Sequence, residues 1–273
     1  MVRFLAVSLL FTLSLYADML DQKIRSYISE HRYAKNRAFI DIIFEERESY
    51  YIEDGRVDSV KVIETLKQNG LLKLFFDKPD TLTLTFKTSE NPLFFVTLMG
   101  DTLRSIGYYR FMTNYAKKDN EGFVWRIALK AEYATDPIVL RDELRKRGCD
   151  IVDIEKENEK SWVYRIDMSG AHLNVETIMP DQELRLRRSL EPHWMIVESV
   201  KKLTVTSLGT NRWHPYIVFF DEKLRLVKVY KRDAKTWQVA IKTPQNAYYV
   251  KIADLYSLKN IKDGLKIEAS GVK

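Results

Sequence analysis

The chain has 273 residues, 44 Lys and Arg against 38 Asp and Glu for a net charge of +6, and a 45% hydrophobic share. One cysteine excludes an internal disulfide, so stability must come from apolar cores, which a chain of this length supplies in two or three domains. Four histidines beside that cysteine leave little material for a zinc site or a catalytic triad.

Met1–Ala17 reads as a secretory signal peptide. Arg3 gives the positive start, Phe4 to Tyr16 is nearly all apolar, and Leu15-Tyr16-Ala17 offers a cleavage site before Asp18. The run falls short of the ~20 residues that span a bilayer, so no transmembrane span is expected, and no cysteine near the site could carry a lipid. A retained anchor is the alternative. Export to the periplasm excludes nucleic acid as a partner, despite the basic balance.

Residues 18–37 are expected to hold an amphipathic helix, Asp18 to Arg32, with Leu20, Ile24, Tyr27 and Ile28 in one stripe that packs on the first sheet. Residues 38–170 read as α+β. A first strand, Ala38 to Glu46, precedes three helix–strand–strand units. Unit one has a helix from Asp58 or Ser59 to Asn69–Gly70, a strand Leu71 to Phe76, a turn Asp77-Lys78-Pro79-Asp80 and a strand Thr81 to Lys87. Unit two starts at Asn91–Pro92, closes its helix at Gly107, and continues with strands Tyr108 to Lys117 and Phe123 to Tyr133. Gly100 inside that helix is its weak point. Unit three starts at Asp136–Pro137, turns at Gly148, and continues with a strand Asp150 to Glu155 and a second from Ser161 on. Cut another way, Ala38 to Lys117 reads βαββαβ, the ferredoxin-like order, and Phe123 to Ser169 opens a βαββ block. Cys149 follows a helix-ending glycine and fits a small packing residue better than a reactive thiol, since no histidine lies near it in sequence.

Residues 171–192 read as a linker with Pro180 and Pro192, a short helix over Glu183 to Leu190, and an arginine cluster, Arg185, Arg187 and Arg188, that is either solvated or a dock for an acidic surface. Residues 193–273 read as a β-sandwich, with seven short strands separated by turn residues such as Asp221–Glu222 and Asp263–Gly264. The run Pro215 to Asp221, then Leu224 to Val227, then Asn246-Ala247-Tyr248-Tyr249-Val250-Lys251-Ile252, resembles the bacterial pre-peptidase C-terminal β-sandwich. That resemblance implies a sandwich lobe concerned with localisation or binding. The peptidase domain and the acidic calcium clusters of the family have no counterpart here, so no binding residues are carried over. The whole chain resembles an exported, periplasmic bacterial protein.

His193–Lys273 holds 15 Lys and Arg against 7 Asp and Glu, which leaves Asp18–Pro192 mildly acidic. The basic lobe could attract the front half or face an anionic envelope surface. His193, Trp194, Arg212, Trp213, His214 and Tyr216 cluster where the lobe begins and form the candidate binding surface. Exposed indoles there would stack on sugar rings; core packing is the competing reading. His193 and His214 could share a metal, but spacing declares no third ligand. Nucleophile elbow, phosphate loop, paired zinc histidines and EF-hand loop are all missing from the sequence. The expected function is a non-enzymatic binding or assembly protein of the Gram-negative envelope, in contact with a protein partner and without a cofactor. The alternatives are a glycan- or peptidoglycan-binding protein that uses the basic aromatic sandwich, and a hydrolase with an unrecognised site.

Overall fold

A computed structural model describes residues 19–273, so the signal-peptide reading of Met1–Ala17 lies outside the described residues. The chain is mixed α+β and divides into two compact units, at Ala171 and His172. No helix among the described residues is long and apolar enough to cross a membrane.

The first unit opens with helices α1 (19–27), α2 (Glu30–Lys35) and α3 (Arg37–Ile43), a 3-10 turn (Arg47–Tyr50) and α4 (Ser59–Gln68). It continues with β1 (Phe75–Thr88), α5 (Pro92–Ser105), β2 (Met112–Asp119), β3 (Gly122–Tyr133), α6 (Pro137–Arg145), β4 (Asp150–Asn158) and β5 (Ser161–Asp167). The strands form one sheet in the order β2-β3-β1-β5-β4, antiparallel except for the parallel pair β1 and β5. The helix starts follow from their caps. The side chains of Asp58, Asn91 and Asp136 accept from backbone N–H groups in the first turns of α4, α5 and α6, and proline stands at the first position of the last two. Gly70, Gly107 and Gly148, with φ of 72°, 97° and 69°, turn the chain out of those helices.

The buried sheet face is aromatic. Phe86 on central β1 lies opposite Trp125 of β3 and Tyr164 of β5, with ring centroids 6.0 and 5.8 Å apart. Phe95 of α5 closes on Phe86 at 6.4 Å and edge-on to Trp125 at 6.3 Å. The α1 stripe Leu20, Ile24 and Tyr27 is fully buried. Tyr27 donates to the Ile154 carbonyl at 2.7 Å and stacks on Trp162 at 6.4 Å, so α1 packs on β4 and β5. The expected single helix breaks after it, where the Ser29 side chain caps α2.

Three expectations for this unit are corrected. Ala38 to Glu46 is not a strand; most of it lies in α3. Ile40 and Phe44, four apart, are its buried residues, Ile42 stays 68% exposed, and the Ile40 and Phe44 N–H groups donate to the carbonyls four residues before. A continuous apolar run carries no period to separate the two structures. Without that strand the ferredoxin-like order over 38–117 is lost. Unit one has one strand after its helix rather than two: Leu71 and Leu72 donate back to the Leu66 carbonyl to close α4, and the Asp77–Asp80 turn is an irregularity inside the 14-residue β1. In unit two, Gly100 is buried within an unbroken α5, and 108–111 precede β2.

The second unit contains β6 (Glu176–Thr177), β7 (Glu183–Leu186), β8 (His193–Ile196), β9 (Val200–Ser207), β10 (Pro215–Phe220), β11 (Leu226–Lys231), β12 (Gln238–Lys242), β13 (Tyr249–Asp254), a 3-10 turn (Leu258–Ile261) and β14 (Leu265–Val272). Two sheets, β11-β10-β13-β8-β6 and β12-β9-β14-β7, enclose one core that draws Ile217, Phe219, Val250 and Ile252 from the first and Leu203, Val205, Leu265 and Ile267 from the second. The stretch expected as linker is part of this unit. The helix expected over Glu183 to Leu190 is strand β7, paired with β14, because Leu184 and Leu186 alternate onto the core while Arg185 stands between them.

Gly122 and Gly107 make a test of backbone strain. Both have positive φ, but a Cβ at Gly122 would lie 2.4 Å from the Thr88 carbonyl oxygen, whereas nothing lies within 4 Å at Gly107. Gly107→Ala should cost about 1 kcal/mol, the left-handed penalty alone. Gly122→Ala should cost clearly more, measured by urea unfolding of both variants.

Candidate functional site

The most accessible constellation is the edge of the first sheet. The β2 residues Met-Thr-Asn-Tyr-Ala-Lys-Lys-Asp lack the apolar alternation of a central strand, and all eight are exposed. One side of β2 pairs with β3, from Met112 opposite Ala128 to Asp119 opposite Gly122, with an irregularity between Thr113 and Tyr115. Trp125 Nε1 donates to Thr113 Oγ1 at 3.0 Å, Phe111 meets the Trp125 ring edge-on at 5.7 Å, and the Arg126 guanidinium lies 5.8 Å over the Tyr115 ring. Among the described residues no strand pairs with the other side.

Where the chain enters β2 there is a cleft of about 850 Å³, lined by Thr81, Arg104, Tyr109, Arg110, Met112 and Lys130 among others. Tyr109 is 76% and Met112 73% exposed. Arg104 pairs with Asp101, and Lys117 with Asp119 at 3.1 Å. The hydrogen bond to Lys117 holds the Asp119 carboxyl below the usual range. Lys118 Nζ reaches the Glu90 carbonyl at 3.4 Å, while the side chains of Arg110 and Lys130 make no hydrogen bond or ion pair among the described residues. This arrangement offers main-chain donors and acceptors, apolar side chains and excess positive charge. It can hold an extended segment. The sequence signal for it is the polar composition of 112–119, which marks an exposed strand but not which of its sides lacks a neighbour.

The six residues expected to form one surface are divided between faces. Trp213 is fully buried, and its Nε1 donates to the Ala253 carbonyl at 3.0 Å, so it serves the core and not a sugar platform. His193 lies in register with core residue Ile252, which in turn faces Ile217. Its Nε2 is buried without a partner among the described residues, and burial lowers the imidazole pKa. Trp194, the next residue along the strand, points to the opposite side. It is half-buried, 5.2 Å from the Phe220 ring and 5.5 Å from Lys251 Nζ. Arg212 is exposed and Tyr216 is half-buried on β10. The half-buried His214 ring stands edge-on to Tyr256 at 5.2 Å, with Nδ1 3.7 Å from Asp254 Oδ2. Among the described residues no three His, Cys, Asp or Glu side chains come together as a metal site.

Two carboxylates missed in the sequence organise their surroundings. Buried Asp254 accepts from the backbone N–H groups of His214, Tyr256 and Ser257 at 2.7, 2.9 and 2.9 Å, and from Asn260 Nδ2 at 3.0 Å. Asp153 on β4 accepts from Lys23 Nζ of α1, Ser59 Oγ of α4 at 2.7 Å and the Ile154 N–H at 2.8 Å. Burial pushes its pKa up, but these donors outweigh burial and leave it lowered. Cys149 is buried, and burial lifts its thiol to about 12, which suits packing rather than nucleophilic chemistry.

Trp213→Ala should cost about 3–5 kcal/mol by chemical denaturation. The lowered pKa of His193 also has a consequence with a fixed sign. The unfolded chain takes up a proton near pH 6.5 that the folded unit resists. The stability is therefore full above that pH and is lost as pH falls toward the folded value. Melts between pH 7.5 and 5 should show a decline that His193→Gln reduces. Comparison with protein-family models, with curated proteins and with solved structures gives no match to this chain.

Proposed function

We propose that the chain is a non-enzymatic binding or assembly protein of the bacterial envelope, exported to the periplasm, which engages a protein partner by letting it extend the first sheet at β2. The observation that carries this reading is the eight-residue edge strand, exposed along its length and, among the described residues, without a strand on its outer side. An exposed strand edge invites pairing, and proteins without a use for one shield it with charge, bulges or covering elements. Here the lysines stand only at Lys117 and Lys118, past the centre of the strand, and a single irregularity falls between Thr113 and Tyr115. The apolar side chains of Tyr109 and Met112 add contact area beside free main-chain groups, the combination that strand addition uses. The double sheet of the second unit is read as a localisation lobe, as its resemblance to the pre-peptidase sandwich implies.

Amide hydrogen exchange tests this on the complex isolated with the tagged protein from its own envelope. The outward amides of 112–117 should exchange fast in the free protein and slow by at least about tenfold in the complex, as amides do when they enter a ladder. Protection that appears elsewhere, with β2 unchanged, would refute the reading.

A further inference from the structure

We infer that the segment β2 accepts is an extended, acidic strand from a different protein; this rests on the strand-addition reading above. The charges around the edge are uneven. Arg104, Arg110, Lys117, Lys118 and Lys130 flank the strand and its cleft. Asp101 and Asp119 neutralise Arg104 and Lys117. Arg110 and Lys130 have no ion-pair partner among the described residues, and Lys118 reaches only a carbonyl. Three cations without an ion-pair partner among the described residues, of which Lys130 also acts on Asp80, thus run from the cleft to the far end of a strand roughly 27 Å long at ~3.4 Å per residue. A paired strand sets its side chains beside those of β2 on both faces, so carboxylates at intervals along it would meet these cations.

Neither occupant nearest at hand supplies such a row of carboxylates. A two-fold pairing of β2 with a second copy along its whole length sets Lys117 and Lys118 opposite Asn114 and Thr113, and of the three cations only Arg110 meets a carboxylate, that of Glu121. The chain's own residues before Met19 contain no acidic side chain except Asp18.

The test uses the full chain and three synthetic peptides of about eight residues: Val and Thr alternating with Glu, with Gln, or with Lys. The Glu peptide should bind about tenfold tighter than the Gln peptide at low salt, the sum expected from three exposed ion pairs. This advantage should shrink between 50 and 300 mM salt as screening rises. Its binding should slow exchange at the β2 amides, and Arg110→Glu with Lys130→Glu should turn the preference toward the Lys peptide. Equal protection of β2 by the Glu and Gln peptides would overturn the acidic specificity and leave strand addition standing. Tight binding of the Glu peptide with β2 still exchanging freely, or failure of all three to protect β2, would overturn both. A β2-protected dimer of the free protein would replace the acidic partner with a second copy. Binding to anionic phospholipid vesicles that needs Arg110 without β2 protection would replace it with a membrane surface.

Discussion

The row of rings across the middle of the first sheet is the contact on which the rest of that unit depends. Trp125, Phe86 and Tyr164 sit side by side on β3, β1 and β5, with Phe95 laid over two of them. Each ring removes a large apolar area from water, and the set only fits together if β1 lies between β3 and β5. That placement decides the two margins of the sheet. β4 falls at one margin, where Asp153 ties it to Lys23 of α1 and Ser59 of α4. β2 falls at the other, where no strand of the described residues answers it. The exposed edge is thus a by-product of how the aromatic core closes.

Polar anchoring in both units follows one rule. A carboxylate is placed where several donors converge, and its burial is compensated by full hydrogen bonding. Asp153 joins three elements of the first unit, and Asp254 gathers the turn after β13 in the second. His193 departs from the rule: its buried nitrogen has no partner among the described residues, and only its neutral form is at ease there. Such groups make a fold sensitive to its surroundings without making it catalytic.

Local grammar carried much of this architecture. Asn91–Pro92 and Asp136–Pro137 mark helix starts on chemical grounds, and the glycines at 70, 107 and 148 mark ends, because both requirements are local. Strict alternation marked Leu82, Leu84 and Phe86 as one buried face. The reading failed where the deciding partner is remote. Ile40 and Phe44 suit a strand as well as a helix until their surroundings choose, and Pro79 reads as a turn until β3 carries the strand past it. At the candidate surface, the abundance of Trp213, His214 and Tyr216 was visible, but whether an indole faces inward depends on its place in the sheets. The bare side of β2 has no local signature, since strand order is set by contacts distant in sequence.

The parallel pair in the first sheet has a consequence for biogenesis. Thr83 is matched with Ser161, roughly eighty residues later, and every strand between them has an antiparallel hairpin neighbour closer at hand. Loop closure over that distance must precede the reward of pairing, so β1, once joined to β3, keeps its other edge open until the last strand of its unit arrives. A polypeptide that emerges N-terminus first therefore spends its most aggregation-prone interval with the middle of this sheet half made, and a holding chaperone at that stage would have Leu82, Leu84 and Phe86 as its handle.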